Sequence, residues 1–279
     1  KAEGAALHIL AFDYLEGLAT AGLVNEQALE QMRLGYVERH HQWLEDQARP
    51  LRNLGLTVTT EVAWVERPLQ EILVRLREEP MAVVIKALEH ESLLSRLMFT
   101  PLDVHLIREC PVPLHFVSGA QHALPRKIVA AVDPFHRNKH YDDLNDRILH
   151  EAVKLATACD AEVEVVYAHD LSDLGAQEYG FGSGAGFFSS VAAKRLFDEQ
   201  GQAFNDLAAR NGIPPAQRHM ILGNPAKVLS SYADAYNVDV IVMGRVGHHG
   251  LSRLLGSTAE SLLYKMPCSV WMVKPEIVD

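Results

Sequence analysis

The sequence is poor in cysteine, and its cysteines do not occur at the spacings of a metal site or a disulfide framework. A sparse, odd number of cysteines favours a reducing compartment. We therefore expect a cytoplasmic protein in which the cysteines serve as small apolar packing residues. The chain contains three of them: Cys110, Cys159 and Cys268.

Long apolar runs and excess positive charge are also missing. No stretch of about 18 apolar residues occurs, so the sequence predicts no transmembrane helix, and it shows no signal peptide. The 26 Lys and Arg residues stand against 36 Asp and Glu, a formal net charge of -10. Nucleic acids and anionic membranes both require a basic face, so this charge argues against either partner. The hydrophobic fraction of 48% over 279 residues is enough for two cores.

An internal repeat relates the two parts of the chain. The offset between equivalent residues is 157 over most of the repeat and 156 near its end. A constant offset over such a length indicates tandem duplication. Examples of the equivalent pairs are Ala11 with Ala168, Gly55 with Gly212, Pro68 with Pro225, and Pro111 with Pro267.

The repeat predicts two domains. We define the first repeat as residues 1–120 and the second repeat as residues 126–279, joined near Pro125. The first repeat begins at the strand 8–12, which is equivalent to the second strand of the second repeat. We therefore expect the first repeat to lack its opening strand and helix in this chain.

Strands alternate with helices throughout the second repeat. This alternation predicts an open, doubly wound, parallel five-stranded sheet with helices on both faces, and the duplication predicts two such sheets in tandem. In the helix that ends near Arg210 we expect four apolar side chains to point inward: Phe197, Phe204, Leu207 and Ala208. The predicted strands are 127–133, 162–168, 219–222, 238–243 and 269–273.

A glycine-containing segment carries the clearest chemical signal. Gly244-Arg245-Val246-Gly247 follows a buried strand, and Gly256-Ser257-Thr258 leads into a helix. Glycines allow a positive φ and let a phosphate approach main-chain N–H groups. The start of the helix adds free N–H groups, a positive dipole end and two hydroxyls. The segment therefore predicts a phosphate-binding loop.

The end of the first strand of the second repeat supplies a carboxylate. Asp133 follows this strand, and Gly244 ends the fourth strand. Ligands of open parallel sheets bind outside the carboxyl ends of the strands, where the strand order reverses. If these two strands are neighbours, Asp133 and the glycine loop line one crevice.

These motifs resemble the universal stress protein family, in its tandem two-domain bacterial type. The resemblance is to the ATP-binding branch of the family. It implies that Asp133 contacts adenine and ribose, that Ala131 lies on the same wall of the nucleotide site, and that Met243 lies on the adenine side. It implies that Gly244, Arg245, Gly247, Gly256, Ser257 and Thr258 hold the phosphates. Eight residues separate Gly247 from Gly256 here, one fewer than in the family pattern.

The first repeat has no glycine in the equivalent segments, 86–91 and 99–101. Glu89 and Glu91 would repel phosphate, and Pro101 removes an N–H donor. We therefore expect a degenerate first repeat that binds no nucleotide.

The resemblance implies a cytoplasmic stress-response protein whose second repeat binds ATP, ADP or AMP, with Mg²⁺ accompanying ATP. No catalytic set of residues is evident, so we expect slow ATP hydrolysis at most. The repeats should pack as a pseudo-dimer through their last strands, 114–117 and 270–273, and a homodimer is a further option.

Two alternatives stay open. A glycine-rich segment, 180–186, with Phe181, Phe187 and Phe188 suggests a lid over an amphiphilic small molecule, which a carrier or sensor would bind. A scaffold that binds only proteins is the other alternative.

We expect no metal site, because the histidines lack the spacing of metal ligands; His169-Asp170 is the pair of most interest. The other histidines considered are His136, His140, His219, His248 and His249.

Overall fold

The computed structural model describes residues 4–14, 26–87, 102–118, 122–135, 143–169, 191–245 and 266–275. The chain divides into two compact units, Lys1–Glu79 and Pro80–Asp279. Each unit combines helices with parallel strands, which confirms the α/β class. Within the described ranges, no helix is long and apolar enough to cross a membrane.

The first unit is a parallel β-α-β arrangement followed by a helix. Its two strands pair in parallel from Leu7 opposite Val58 to Asp13 opposite Trp64. The long helix between them packs on both strands and buries Leu44 there. The elements are β1 (Leu7–Asp13), α1 (Glu26–Asn53), β2 (Val58–Trp64) and α2 (Pro68–Glu78).

The second unit is built on a seven-stranded sheet with the order β3-β4-β9-β8-β5-β6-β7. Its strands are β3 (Val84–Ala87), β4 (Leu114–Val117), β5 (Lys127–Ala131), β6 (Glu162–His169), β7 (Arg218–Leu222), β8 (Val240–Gly244) and β9 (Ser269–Val273). Its helices are α3 (Leu102–Glu109), α4 (Leu144–Cys159), α5 (Val191–Arg210) and α6 (Pro225–Ala235).

The second repeat forms the predicted five-stranded sheet. Strands β7, β6, β5, β8 and β9 are adjacent in this order, and each pairs in parallel with its neighbours. Strand β5 is central, and the chain adds β6 and β7 on one side of it and β8 and β9 on the other. The strand order therefore reverses between β5 and β8, which makes their carboxyl ends the topological switch point.

The four described strands of the first repeat do not form one sheet. Strands β1 and β2 pair only with each other, whereas β3 and β4 join the sheet of the second repeat. In the second repeat the central strand β5 links the strands equivalent to β1 and β3. Among the described residues, no strand of the first repeat takes that central place. The compact units therefore divide at Glu79, although the repeat predicts a boundary near residues 120–126.

The last strands of the two repeats pair with each other. Strands β4 and β9 are antiparallel, and His115 lies opposite Trp271. These two residues are equivalent at the offset of 156, so the pairing has the local two-fold character expected of a pseudo-dimer contact. The predicted contact between the last strands is confirmed.

The core of the second repeat lies between its sheet and the helices α4 and α5. Ile148 and Ala152 of α4 and Phe204 and Leu207 of α5 are buried there. The prediction that Phe197 points inward is wrong, because its side chain is 45% exposed. Helical periodicity gives the direction of a side chain, but the length of helix that the sheet covers decides whether that direction is buried.

Candidate functional site

The carboxyl ends of β5 and β8 lie side by side. Ala131 is opposite Met243 in the parallel register, and Val132 and Gly244 come next along each strand. The condition set by the sequence, that these two strands be neighbours, is therefore met. Asp133 and the beginning of the glycine loop leave the sheet at the same edge, where ligands of open parallel sheets bind.

Asp133 follows β5 in a backbone conformation fixed by Asn145. The Asp133 N–H donates to Asn145 Oδ1 at 2.9 Å, and Asn145 Nδ2 donates to the Asp133 carbonyl at 2.8 Å. The carboxylate Oδ1 accepts from the Phe135 N–H at 3.1 Å, which forms an Asx turn. Asp133 itself is exposed. Asn145 is a site residue that the sequence pattern did not reveal, and it lies in the first turn of α4.

Ala131 and Met243 form the floor beside Asp133. Alternation along β5 and β8 places Ala130, Val132 and Val242 against α4, so Ala131 and Met243 face the other side of the sheet. Met243 is buried, with 7% of its surface exposed, and Ala131 is half-buried. These two side chains offer a small apolar surface next to a carboxylate.

Gly244 is required by packing rather than by a turn. It is the last residue of β8 and does not adopt the left-handed φ expected of a turn glycine. A Cβ atom at Gly244 would lie 2.7 Å from Leu144 Cδ2 and 3.2 Å from Ile148 Cδ1. A larger residue at this position would therefore require the Leu144 side chain or α4 to shift.

Arg245 is placed differently from the phosphate-contacting role that the resemblance implies. Its side chain is buried, and the guanidinium donates to the main-chain carbonyls of Ile107, Cys110 and Val112. Burial lowers the pKa of Arg245 from its ordinary value. Because the guanidinium is bound to the end of α3, contact with a nucleotide would come from the main chain of Arg245.

The other predicted phosphate contacts, Gly247, Gly256, Ser257 and Thr258, lie outside the described residues. The predicted lid, 180–186, with its phenylalanines is also outside them, as are Asp170, His136, His140, His248 and His249. Their predicted roles stay predictions.

Aromatic residues at the end of β6 pack on the side of the sheet that α4 and α5 cover. Tyr167 is buried, and its hydroxyl lies 3.4 Å from His169 Nδ1. Burial, with the nearby Asp133 charge, raises the pKa of Tyr167 to about 12. The hydroxyl therefore keeps its proton at neutral pH. His169 is also in edge contact with Phe197, at a ring distance of 5.4 Å. No group of three His, Cys, Asp or Glu side chains suited to a metal occurs in the part of the chain that the structure describes.

The equivalent edge of the first repeat holds an ion pair. Lys86 on β3 is equivalent to Met243, and its Nζ lies 2.8 Å from Asp103 Oδ1 in the first turn of α3. Asp103 is only 1% exposed. A carboxylate of the protein thus lies at a helix N-terminus, where the positive dipole end favours an anion.

Known proteins resemble this chain over most of its length. Universal stress protein E of Escherichia coli is 27% identical over 88% of this chain and 77% of its own length. A homologue from Haemophilus influenzae is 24% identical over 93% of this chain and 83% of its own. A solved structure of a functionally unknown protein from Pseudomonas aeruginosa is 26% identical, with a TM-score of 0.68 over 98% of this chain and 94% of its own.

A universal stress protein from Archaeoglobus fulgidus shows the same fold, with a TM-score of 0.63 and 17% identity over 99% of this chain and 88% of its own. The profile of the universal stress protein family matches residues 125–274, which include the whole five-stranded sheet of the second repeat and the Asp133 crevice. The chain belongs to the universal stress protein family.

Proposed function

We propose that the second repeat binds an adenine nucleotide in the crevice between the ends of β5 and β8. The observation that carries this proposal is the register of Ala131 opposite Met243, which brings Asp133 and Gly244, where the glycine loop begins, to one edge of the sheet. Membership of the family and the glycine pattern of residues 244–258 support it. The function is then binding in a cytoplasmic stress response, with slow ATP hydrolysis at most.

The described residues suit the nucleoside part of such a ligand. Ala131 and Met243 give an apolar surface for adenine, and the Asp133 carboxylate can accept hydrogen bonds from ribose or base. Asn145 holds the main chain of Asp133, so the carboxylate is positioned before the ligand arrives. Gly247, Gly256, Ser257 and Thr258 would supply N–H and hydroxyl donors to the phosphates.

ATP, ADP and AMP all fit this description. With ATP, a Mg²⁺ ion would be held mainly by phosphate oxygens and water, since Mg²⁺ usually takes one or two carboxylates beside the phosphates of the substrate.

We further propose that the first repeat binds no nucleotide. The Asp103 carboxylate lies at the start of α3 and neutralises Lys86, so both the anion-binding position and its cation are already engaged. Glu89 and Glu91 add negative charge to the segment between Lys86 and Asp103. A phosphate would therefore meet repulsion where the second repeat offers donors.

Calorimetric titration with ATP, ADP and AMP tests the proposal. Asp133→Ala should weaken binding about 10- to 100-fold, because hydrogen bonds to a charged group are worth about 1.5–3 kcal/mol. Asp234→Ala is the matched control: Asp234 is exposed on α6, and the substitution removes the same charge from the same repeat. Its affinity should equal that of the unsubstituted protein.

Absence of heat with all three nucleotides would refute the proposal, as would equal affinities for the Asp133 and Asp234 variants. Native mass spectrometry distinguishes the alternatives. A retained lipid-like mass without nucleotide would indicate the amphiphilic carrier, and the absence of any ligand together with an unchanged cellular role for Gly247→Val would indicate the protein scaffold.

A further inference from the structure

The first turn of α4 contacts both walls of the crevice. The helix begins at Leu144 and packs on β5 and on β8, the two strands whose carboxyl ends lie side by side. Its first two residues have different partners. Asn145 binds Asp133 beyond the end of β5, and Leu144 lies against Gly244 at the end of β8. One helical turn therefore holds a residue of each strand end.

Asn145 holds the main chain of Asp133 at two points. Its side-chain oxygen accepts from the Asp133 N–H at 2.9 Å, and its side-chain nitrogen donates to the Asp133 carbonyl at 2.8 Å. The pairing of β5 with β6 ends just before, where Ala131 lies opposite Val166 and the Val132 N–H donates to the Val166 carbonyl. The amide of Asn145 thus takes the place that a neighbouring strand has along β5, and it satisfies both polar groups of this peptide.

The fixed main chain directs the Asp133 carboxylate. Asp133 Oδ1 accepts from the Phe135 N–H at 3.1 Å and closes an Asx turn. The ring of this turn includes main-chain atoms of Asp133, so its geometry depends on the backbone conformation that Asn145 fixes. Asn145 therefore acts on the carboxylate through the main chain.

Leu144 holds the opposite wall by packing. Its side chain is buried, and it lies so close to Gly244 that a Cβ there would be 2.7 Å from Leu144 Cδ2. Val132 and Val242, from the two strands, belong to the same apolar cluster. Because Leu144 and Asn145 are consecutive residues of one helix, a shift of this turn would move both walls of the crevice.

We propose that the first turn of α4 is the positioning element of the crevice, in which Asn145 orients the Asp133 carboxylate and Leu144 fixes the place of Gly244. The inference rests on the proposed nucleotide site and explains how its acceptor is oriented before a ligand binds. A carboxylate already held in one direction loses less conformational entropy on binding. Removal of the Asn145 side chain should therefore lower affinity although the carboxylate itself is still present.

Asn145→Ala tests the proposal, with Asn211→Ala as the matched control. Asn211 Nδ2 donates to Asp146 Oδ1 at 2.6 Å and to the Leu207 carbonyl at 3.0 Å, so this side chain also makes two hydrogen bonds. Asn211 directly follows α5 and precedes β7, which places it where a strand begins rather than at the carboxyl ends that form the crevice. Both substitutions remove one amide group.

A double-substitution cycle shows whether Asn145 acts through Asp133. In calorimetric titrations with ATP, Asn145→Ala should weaken binding about 2- to 10-fold, and Asn211→Ala should leave the affinity unchanged. In the Asp133→Ala background, Asn145→Ala should weaken binding no further, because the carboxylate that it orients is gone. A merely structural role would weaken binding equally in both backgrounds and would overturn the inference.

A measurement without nucleotide separates this inference from the proposed function. Hydrogen exchange of the Phe135 amide, followed by NMR, should be about 2- to 10-fold faster in Asn145→Ala and unchanged in Asn211→Ala. Unaltered exchange in Asn145→Ala would refute the positioning role. If the unsubstituted protein binds no ATP, the proposed function fails, and the Phe135 amide still decides whether Asn145 orients Asp133. Asn145→Asp, which keeps an acceptor and loses the donor, replaces the alanine variant if that one does not fold.

Discussion

Substitution of Gly244 by alanine tests why a glycine ends β8. The new Cβ would lie 2.7 Å from Leu144 Cδ2, 3.1 Å from Leu144 Cγ and 3.2 Å from Ile148 Cδ1. Carbon atoms pack best at about 3.5–4.0 Å, so α4 or the Leu144 side chain must move. Overpacking of this kind costs about 1–3 kcal/mol, and we expect the free energy of unfolding to fall by that amount.

Gly201→Ala is the control for this substitution. Gly201 lies inside α5, and the atom nearest to its added Cβ would be Met220 Sδ at 3.8 Å, an ordinary contact. Alanine is preferred to glycine in a helix by about 1 kcal/mol, so this variant should be more stable than the unsubstituted protein. The same chemical change is therefore expected to have opposite signs at the two positions. Urea unfolding followed by circular dichroism measures both.

A double-mutant cycle identifies the atoms responsible. Leu144→Ala removes the nearest two atoms and by itself should cost about 2–5 kcal/mol through the cavity it leaves. With Gly244→Ala present, the new methyl group fills part of that space, so the double variant should be more stable than additivity predicts by about 1 kcal/mol. Additive effects, or a stabilising Gly244→Ala, would show that the approach of α4 is not what requires glycine.

Two further predictions concern ionisable side chains in the second unit. Lys86→Met should lower the free energy of unfolding, measured by urea titration, by about 3 kcal/mol, because it leaves the buried Asp103 carboxylate unpaired. Asp103→Asn should cost less, since Lys86 is partly exposed and can reach water. Equal costs of the two substitutions would contradict this prediction. Burial lowers the pKa of His115 to about 4, against about 6.5 in the unfolded chain. Between these two pH values only the unfolded chain binds the proton. The free energy of unfolding therefore falls as the pH is lowered from about 6.5 to about 4, by up to about 3 kcal/mol. His115→Phe should remove that part of the pH dependence, and an unchanged pH profile of the unfolding midpoint would count against it.

Local pattern was sufficient for the elements of the second repeat. The predicted last strand, 269–273, coincides with β9. The equivalent prolines Pro68 and Pro225 each begin a helix, because the missing N–H of proline does no harm in the first helical turn. The equivalence of His115 and Trp271 also came from the sequence offset. These predictions succeeded because periodicity, proline positions and repeats are properties of neighbouring residues or of simple alignment.

Part of the candidate site could be predicted for the same reason. A carboxylate after one buried strand and a glycine loop after another indicate a crevice whenever the two strands are adjacent, and the order of the sheet makes β5 and β8 adjacent. Asn145 could not be predicted in this way, since an asparagine near the start of a helix gives no sign that it binds the main chain of Asp133.

The sequence by itself determined that this protein is a tandem α/β chain with a phosphate-loop pattern in one repeat. Only the tertiary structure decided that β3 and β4 join the sheet of the second repeat, that Leu144 of α4 approaches Gly244 closely, and that the Arg245 side chain binds the end of α3. The physical reason is distance along the chain. Arg245 and Ile107 are 138 residues apart, and no local periodicity encodes such a contact. It forms only when the sheet order has brought the two repeats together.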